Sequence, residues 1–187
     1  MTQTFELPLK RCTPESFSPY GQMMGLPAQG NTLQWAATKT WSADFFIDGK
    51  TELMFARFDP MPLKDFGKTE AHFAVTQTFI VLGDTPYVTA FARPTAPGVV
   101  PEPSEYEALL IPGNSGVMMH RGVWHSSRFL IRPGTADFII LTDAHTTVEL
   151  VAMNDKGRGR LTHVVEYGKE RGQAFRVVDP DGLLKTV

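Results

Sequence analysis

Cysteine is almost missing from this chain: Cys12 is the only one in 187 residues. A lone cysteine excludes an intramolecular disulfide, a Cys-x-x-Cys redox pair and a thiolate zinc site, and it fits a reducing compartment. No run of about 18 apolar residues offers a bilayer-spanning helix. The N-terminal stretch MTQTFELPLKRC carries Glu6 and Pro8 where a secretion signal needs an unbroken apolar region. The expectation is a cytoplasmic protein with no membrane partner. A surplus of one charge sign is missing too. The net charge of −2 gives no field to steer the chain onto nucleic acid, and its one basic cluster, KGRGR at 156–160, reads as a solvated Gly-rich loop.

Several catalytic signatures are likewise not found. There is no Gly-x-Gly-x-x-Gly and no phosphate-binding P-loop; GNSG at 113–116 lacks the spacing of a hydrolase nucleophile, and Cys12 has no histidine near it in sequence. Long amphipathic helices that could cover a parallel sheet are also lacking, which disfavours a doubly wound α/β architecture.

What is present is a set of short strand-like runs rich in β-branched and aromatic residues. They are TELMFARFDP (51–60), TQTFIVLG (76–83), PYVTAFAR (86–93), ADFIILTD (136–143), TTVELVAM (146–153) and RLTHVVEY (160–167). LGDTPY and NDKGRG read as hairpin turns between neighbours, so the pairs are expected to be antiparallel. Helix starts are few: Thr13 caps a turn beginning at Pro14, and SEYEALL at 104–110 is a second candidate. Fourteen prolines and sixteen glycines punctuate the strands, as an all-β sandwich or jelly roll requires. The Pro-rich stretch 93–107 is taken as a surface crossing within one domain spanning 1–187, with an N-terminal extension over about 1–50 and C-terminal strands over about 145–187.

Three groups of residues carry chemistry. Glu70 and His72 are two apart and share a strand face; Gln77 follows at an odd step, so a bulge or bend is needed for all three to converge. Together they suit a polar substrate or part of a metal shell, the plainer alternative being a polar strand face in water. His120 and His125, two of only five histidines, are five apart, which separates them on a straight helix and on a straight strand alike. A bend at Gly122 would turn both inward with Trp124 as a wall; otherwise one is in the site and the other is not. Arg57 lies inside an apolar strand, and Arg121 and Arg128 flank the histidines. A guanidinium facing a polar interior suits a carboxylate ligand through paired N–H donors, whereas on the surface it is merely solvated. His145 and His163 are given no role, and VMM before His120 reads as buried strand.

These segments resemble a known family. EAHFAVTQTFIVLG (70–83) is similar to the first cupin motif, with Glu70 and Gln77 standing where a histidine and the acid are usual. Combined with FSPYGQM (17–23), PLKDFGKTEAH (62–72), GVMMHRGVWHSSRF (116–129) and ADFIIL (136–141), it resembles ureidoglycolate lyase over residues 5–143. The resemblance implies a cupin jelly-roll barrel, a homodimer, and cleavage of ureidoglycolate to glyoxylate and urea in allantoin breakdown. That reaction needs a base for the hydroxyl proton, an acid for the departing nitrogen and a cation for the carboxylate. His120 or His125 is expected as the base, and the other histidine or Glu70 as the acid. Arg57 or Arg128 would hold the carboxylate, with His72, Gln77 and Trp124 around the substrate. The cofactor is left open between none and a divalent metal; a metal-dependent oxygenase or isomerase would use Glu70, His72, Gln77 and His125 as ligands. A small-molecule binder without activity is the third reading.

Overall fold

The computed structural model describes residues 2–25, 31–61 and 63–186. Among the described residues strand accounts for 47% and helix for 14%. The strands are β1 (Gln3–Arg11), β2 (Gly21–Met24), β3 (Asn31–Trp35), β4 (Thr38–Ser42), β5 (Thr51–Phe58), β6 (Lys68–His72), β7 (Thr78–Leu82) and β8 (Tyr87–Ala92). They continue as β9 (Glu107–Ile111), β10 (Gly116–Met119), β11 (Trp124–Ser126), β12 (Phe129–Leu130), β13 (Ala136–Asp143), β14 (Thr162–Glu166) and β15 (Gln173–Val178). Three short helices are α1 (Pro14–Phe17), α2 (Ala144–Ala152) and α3 (Tyr167–Arg171).

An eight-stranded sheet in the order β14-β6-β11-β8-β9-β1-β15, with β12 also on β8, faces a five-stranded sheet in the order β2-β10-β7-β13-β5. The larger sheet curls into a half-barrel, giving the all-β cupin-like fold. Period-two alternation explains why there are two cores. Tyr87 and Phe91 point into the barrel to meet Phe79, Val117, Met119 and Phe138 from the smaller sheet. Their neighbours Val88, Ala90 and Ala92 point outward, where Trp124, Tyr167 and Phe175 cover them. Each fully buried aromatic ring contributes roughly 1.5–3 kcal/mol to holding the sheets together.

The structure corrects four local expectations. LGDTPY is not a hairpin: β7 pairs with β10 and β13, whereas β8 pairs with β9, β11 and β12, so the turn carries the chain from one sheet to the other. NDKGRG likewise joins α2 to β14. TTVELVAM is helix α2, not a strand, because the Asp143 carboxylate accepts from Thr146 N at 2.9 Å and caps it, outweighing the β-branched content. SEYEALL holds only one 3₁₀ turn, Pro103–Glu105, before β9 begins. The Thr13 cap is present, with Ser16 N donating to Thr13 Oγ1 at 3.2 Å. Pairing is antiparallel except at β1, which runs parallel to both β15 and β9. Among the described residues, no helix is long and apolar enough to cross a membrane.

Candidate functional site

The interior faces of β6 and β11 build the site. β11 pairs antiparallel with β6, setting His125 opposite Glu70, and alternation puts Glu70, His72 and His125 on the barrel side while Thr69, Ala71 and Trp124 point away. Glu70 Oε1 lies 3.8 Å from His72 Nε2 and 3.8 Å from His125 Nδ1. Those separations are longer than hydrogen bonds. The two imidazole rings are 5.5 Å apart, centroid to centroid. His72 Nδ1 is fixed by the Thr162 hydroxyl at 3.0 Å, a residue brought alongside by β14, which pairs Thr162 with His72.

Charge is unevenly held here. Burial alone would raise the Glu70 carboxyl, but the His72 and His125 rings and the Arg128 charge hold it well below the usual carboxylate range, so it is ionised. Burial pushes His125 down to about 3 against the pull of Glu70, leaving it neutral near neutral pH. Burial also lowers Arg128 from its ordinary value, yet a guanidinium remains a cation. Its carbon stacks 3.5 Å from the Phe79 centroid and 5.1 Å from Phe58. No hydrogen-bond or ion-pair partner holds the Arg128 guanidinium among the described residues. A hollow of ≈ 220 Å³ opens onto the group, lined by Glu70, His125, Ser127 and Arg128 with Phe58, Lys68, Leu150 and Asp155. Lys68 is tied there to Asp155.

Several expected members lie elsewhere. The bend at Gly122 exists, with φ +78°, and a Cβ there would come within 2.6 Å of Thr95 O. It does not bring both histidines inside. His120 is exposed and lines a separate hollow of ≈ 540 Å³ with Arg121, Phe46, Phe73 and Thr95, beyond the opposite end of β6. Trp124 is not a wall of the site: as the strand neighbour of His125 it faces the outer core, where its Nε1 donates to Thr95 Oγ1 at 2.8 Å. Arg57 points to solvent because Met54, Ala56 and Phe58 take the inward positions of β5, and it forms a two-bonded ion pair with Asp137 at 2.7 and 2.9 Å. Gln77 is buried; its amide donates to Thr142 Oγ1 at 3.4 Å and its Oε1 has no partner.

The sequence reading missed Lys68 and Thr162. Lys68 stands two residues before Glu70 and so shares its face, a signal that period two carries. Thr162 is placed by pairing across 90 residues, and no local pattern announces it.

A cation also finds suitable donors. Glu70, His72 and His125 each offer a ligand atom within 4.8 Å of the others, and the Nε2 atoms of both histidines are buried without a hydrogen-bond partner. Two imidazoles and one carboxylate are a donor set that fits a divalent transition metal.

Comparison with curated proteins returns no match. The family model described as ureidoglycolate lyase matches residues 4–157. With most of the chain inside that match, and a half-buried carboxylate, two imidazoles and a free guanidinium gathered in its barrel, this protein belongs to the ureidoglycolate lyase family and is a lyase.

Proposed function

We propose that this protein splits ureidoglycolate into glyoxylate and urea with His125 carrying the proton. The observation behind this reading is one cavity in which a neutral imidazole, an ionised carboxylate and an otherwise unpaired guanidinium meet. Arg128 receives the substrate carboxylate through its N–H donors. His125 accepts the hydroxyl proton as the carbinol C–O becomes C=O. The C–N bond breaks with its electron pair leaving on the urea nitrogen, and the imidazolium returns the proton to that nitrogen. Glu70, ionised throughout, steadies the imidazolium between the two transfers. It is therefore not the acid in the resting site. His72, held by Thr162, and Gln77, with its free Oε1, orient the ureido group.

Urea release from ureidoglycolate by a His125→Gln variant tests this; turnover at the wild-type level would overturn it. A bound divalent cation would be held by Glu70, His72 and His125, with Gln77 as a further donor, and would polarise a substrate oxygen. Elemental analysis of protein purified without chelator, with urea release before and after chelation, decides that point. Loss of activity on metal removal would recast His125 as a ligand.

The reading includes a homodimer in the cytoplasm. In its favour, the outward face of the smaller sheet is apolar, with Leu53 69% and Phe55 63% exposed beside Leu82, too much for a surface left bare. The sole, buried Cys12 suits a reducing compartment. Solution mass of the wild type against Phe55→Glu tests the dimer; a wild-type monomer would rule it out.

A further inference from the structure

Beside His125 the barrel leaves a small void of ≈ 10 Å³ lined by Tyr87, Thr89, His125 and Arg128 together with Phe79, Phe91, Val117 and Met119. Three of its lining residues bring polar atoms that are buried and lack any hydrogen-bond partner: Tyr87 Oη, Thr89 Oγ1 and His125 Nε2. Tyr87 and Thr89 are two apart on β8 and share its inward face, and β11 lays His125 beside that strand, opposite Phe91. Leaving one such atom unsatisfied is costly, so three converging on one void are a strong demand for a ligand. A volume of that size matches about one water molecule, and a buried water needs two to four polar partners. A larger ligand has no room, and a cation would meet the positive charge of Arg128.

We propose that this void is a binding site for a single water molecule, bridging Tyr87 Oη, Thr89 Oγ1 and His125 Nε2 and positioning the His125 ring. With the ring proton on Nε2, the water accepts it, accepts a second hydrogen bond from one hydroxyl and donates to the other. Nδ1, 3.8 Å from Glu70 Oε1, then keeps the lone pair that takes the substrate proton. Tyr87 and Thr89 are thus positioning residues acting on His125 through the water.

A crystal structure of the full chain, at a resolution where buried waters are visible, reads the site directly and does not depend on the substrate. One peak at about 2.7–3.2 Å from all three atoms is expected. A void closed by side-chain movement, or empty while other buried waters appear, overturns the proposal. The Tyr87→Phe/Thr89→Val double variant should lose the peak and shift the ring ¹⁵N resonances of His125. It should also lower kcat for urea release about tenfold with KM nearly unchanged, on the scale of outer-shell groups. Loss of the peak with unchanged His125 resonances overturns the positioning role; should ureidoglycolate not be the substrate, peak and resonances still decide the matter.

Discussion

Two hollows of this barrel each contain a histidine and an arginine, yet they are chemically unlike. In one, His125 and Arg128 are withdrawn from water, stand beside an ionised carboxylate, and have unfilled hydrogen-bonding capacity. In the other, His120 and Arg121 are exposed, and Arg121 rests on the Phe46 ring at 4.1 Å. Residue type is thus a poor guide to reactivity. Burial shifts protonation and raises the worth of each charge, and only the first hollow supplies it.

The contrast can be broken most sharply at the histidines. His125→Ala should lower turnover of ureidoglycolate by about 10²–10⁴-fold, the usual range for a removed acid–base group, while His120→Ala should stay within about twofold. Steady-state urea release measures both, and the reverse ranking would transfer the site to the outer hollow. Next come the arginines. Arg128→Ala should raise KM about 10–100-fold, as expected for losing a charge-assisted hydrogen bond to the substrate carboxylate, with Arg121→Ala leaving KM unchanged. Thr162→Val, which frees His72 Nδ1, should cost about tenfold in kcat, and Thr162→Ser should recover most of it. The smallest effect belongs to Arg57: its ion pair with Asp137 lies on the solvent side, so Arg57→Ala should leave both kcat and KM at wild-type values.

The strand content and the shared face of Glu70 and His72 were legible in sequence because period two is a local property. The side of the barrel that each arginine faces was not. Along TELMFARF both the Leu53–Phe55–Arg57 set and the Met54–Ala56–Phe58 set are nearly all apolar, so alternation names two faces without saying which is inside. Exposed apolar residues on the outer face removed the polarity contrast that normally decides. The odd spacing of His120 and His125 asked for a bend only if both rings were to converge; Gly122 does bend, yet His125 alone faces the barrel. A bend, however, changes direction without fixing which ring ends up inside. Two turns read as hairpins failed for a related reason, since a short polar turn suits a sheet-to-sheet crossing as well as a hairpin.

The family match stops at residue 157, but the larger sheet does not. Its two outermost strands, β14 and β15, both come from beyond that point and flank it at opposite ends. A chain cut at 157 would leave β6 and β1 as bare edges, each a row of unpaired N–H and C=O groups ready to recruit a strand from another molecule. One of those edges carries Glu70 and His72. The tail therefore acts as a guard against self-association at the strand that bears the chemistry, and a fragment trimmed to the boundary of kinship is expected to aggregate.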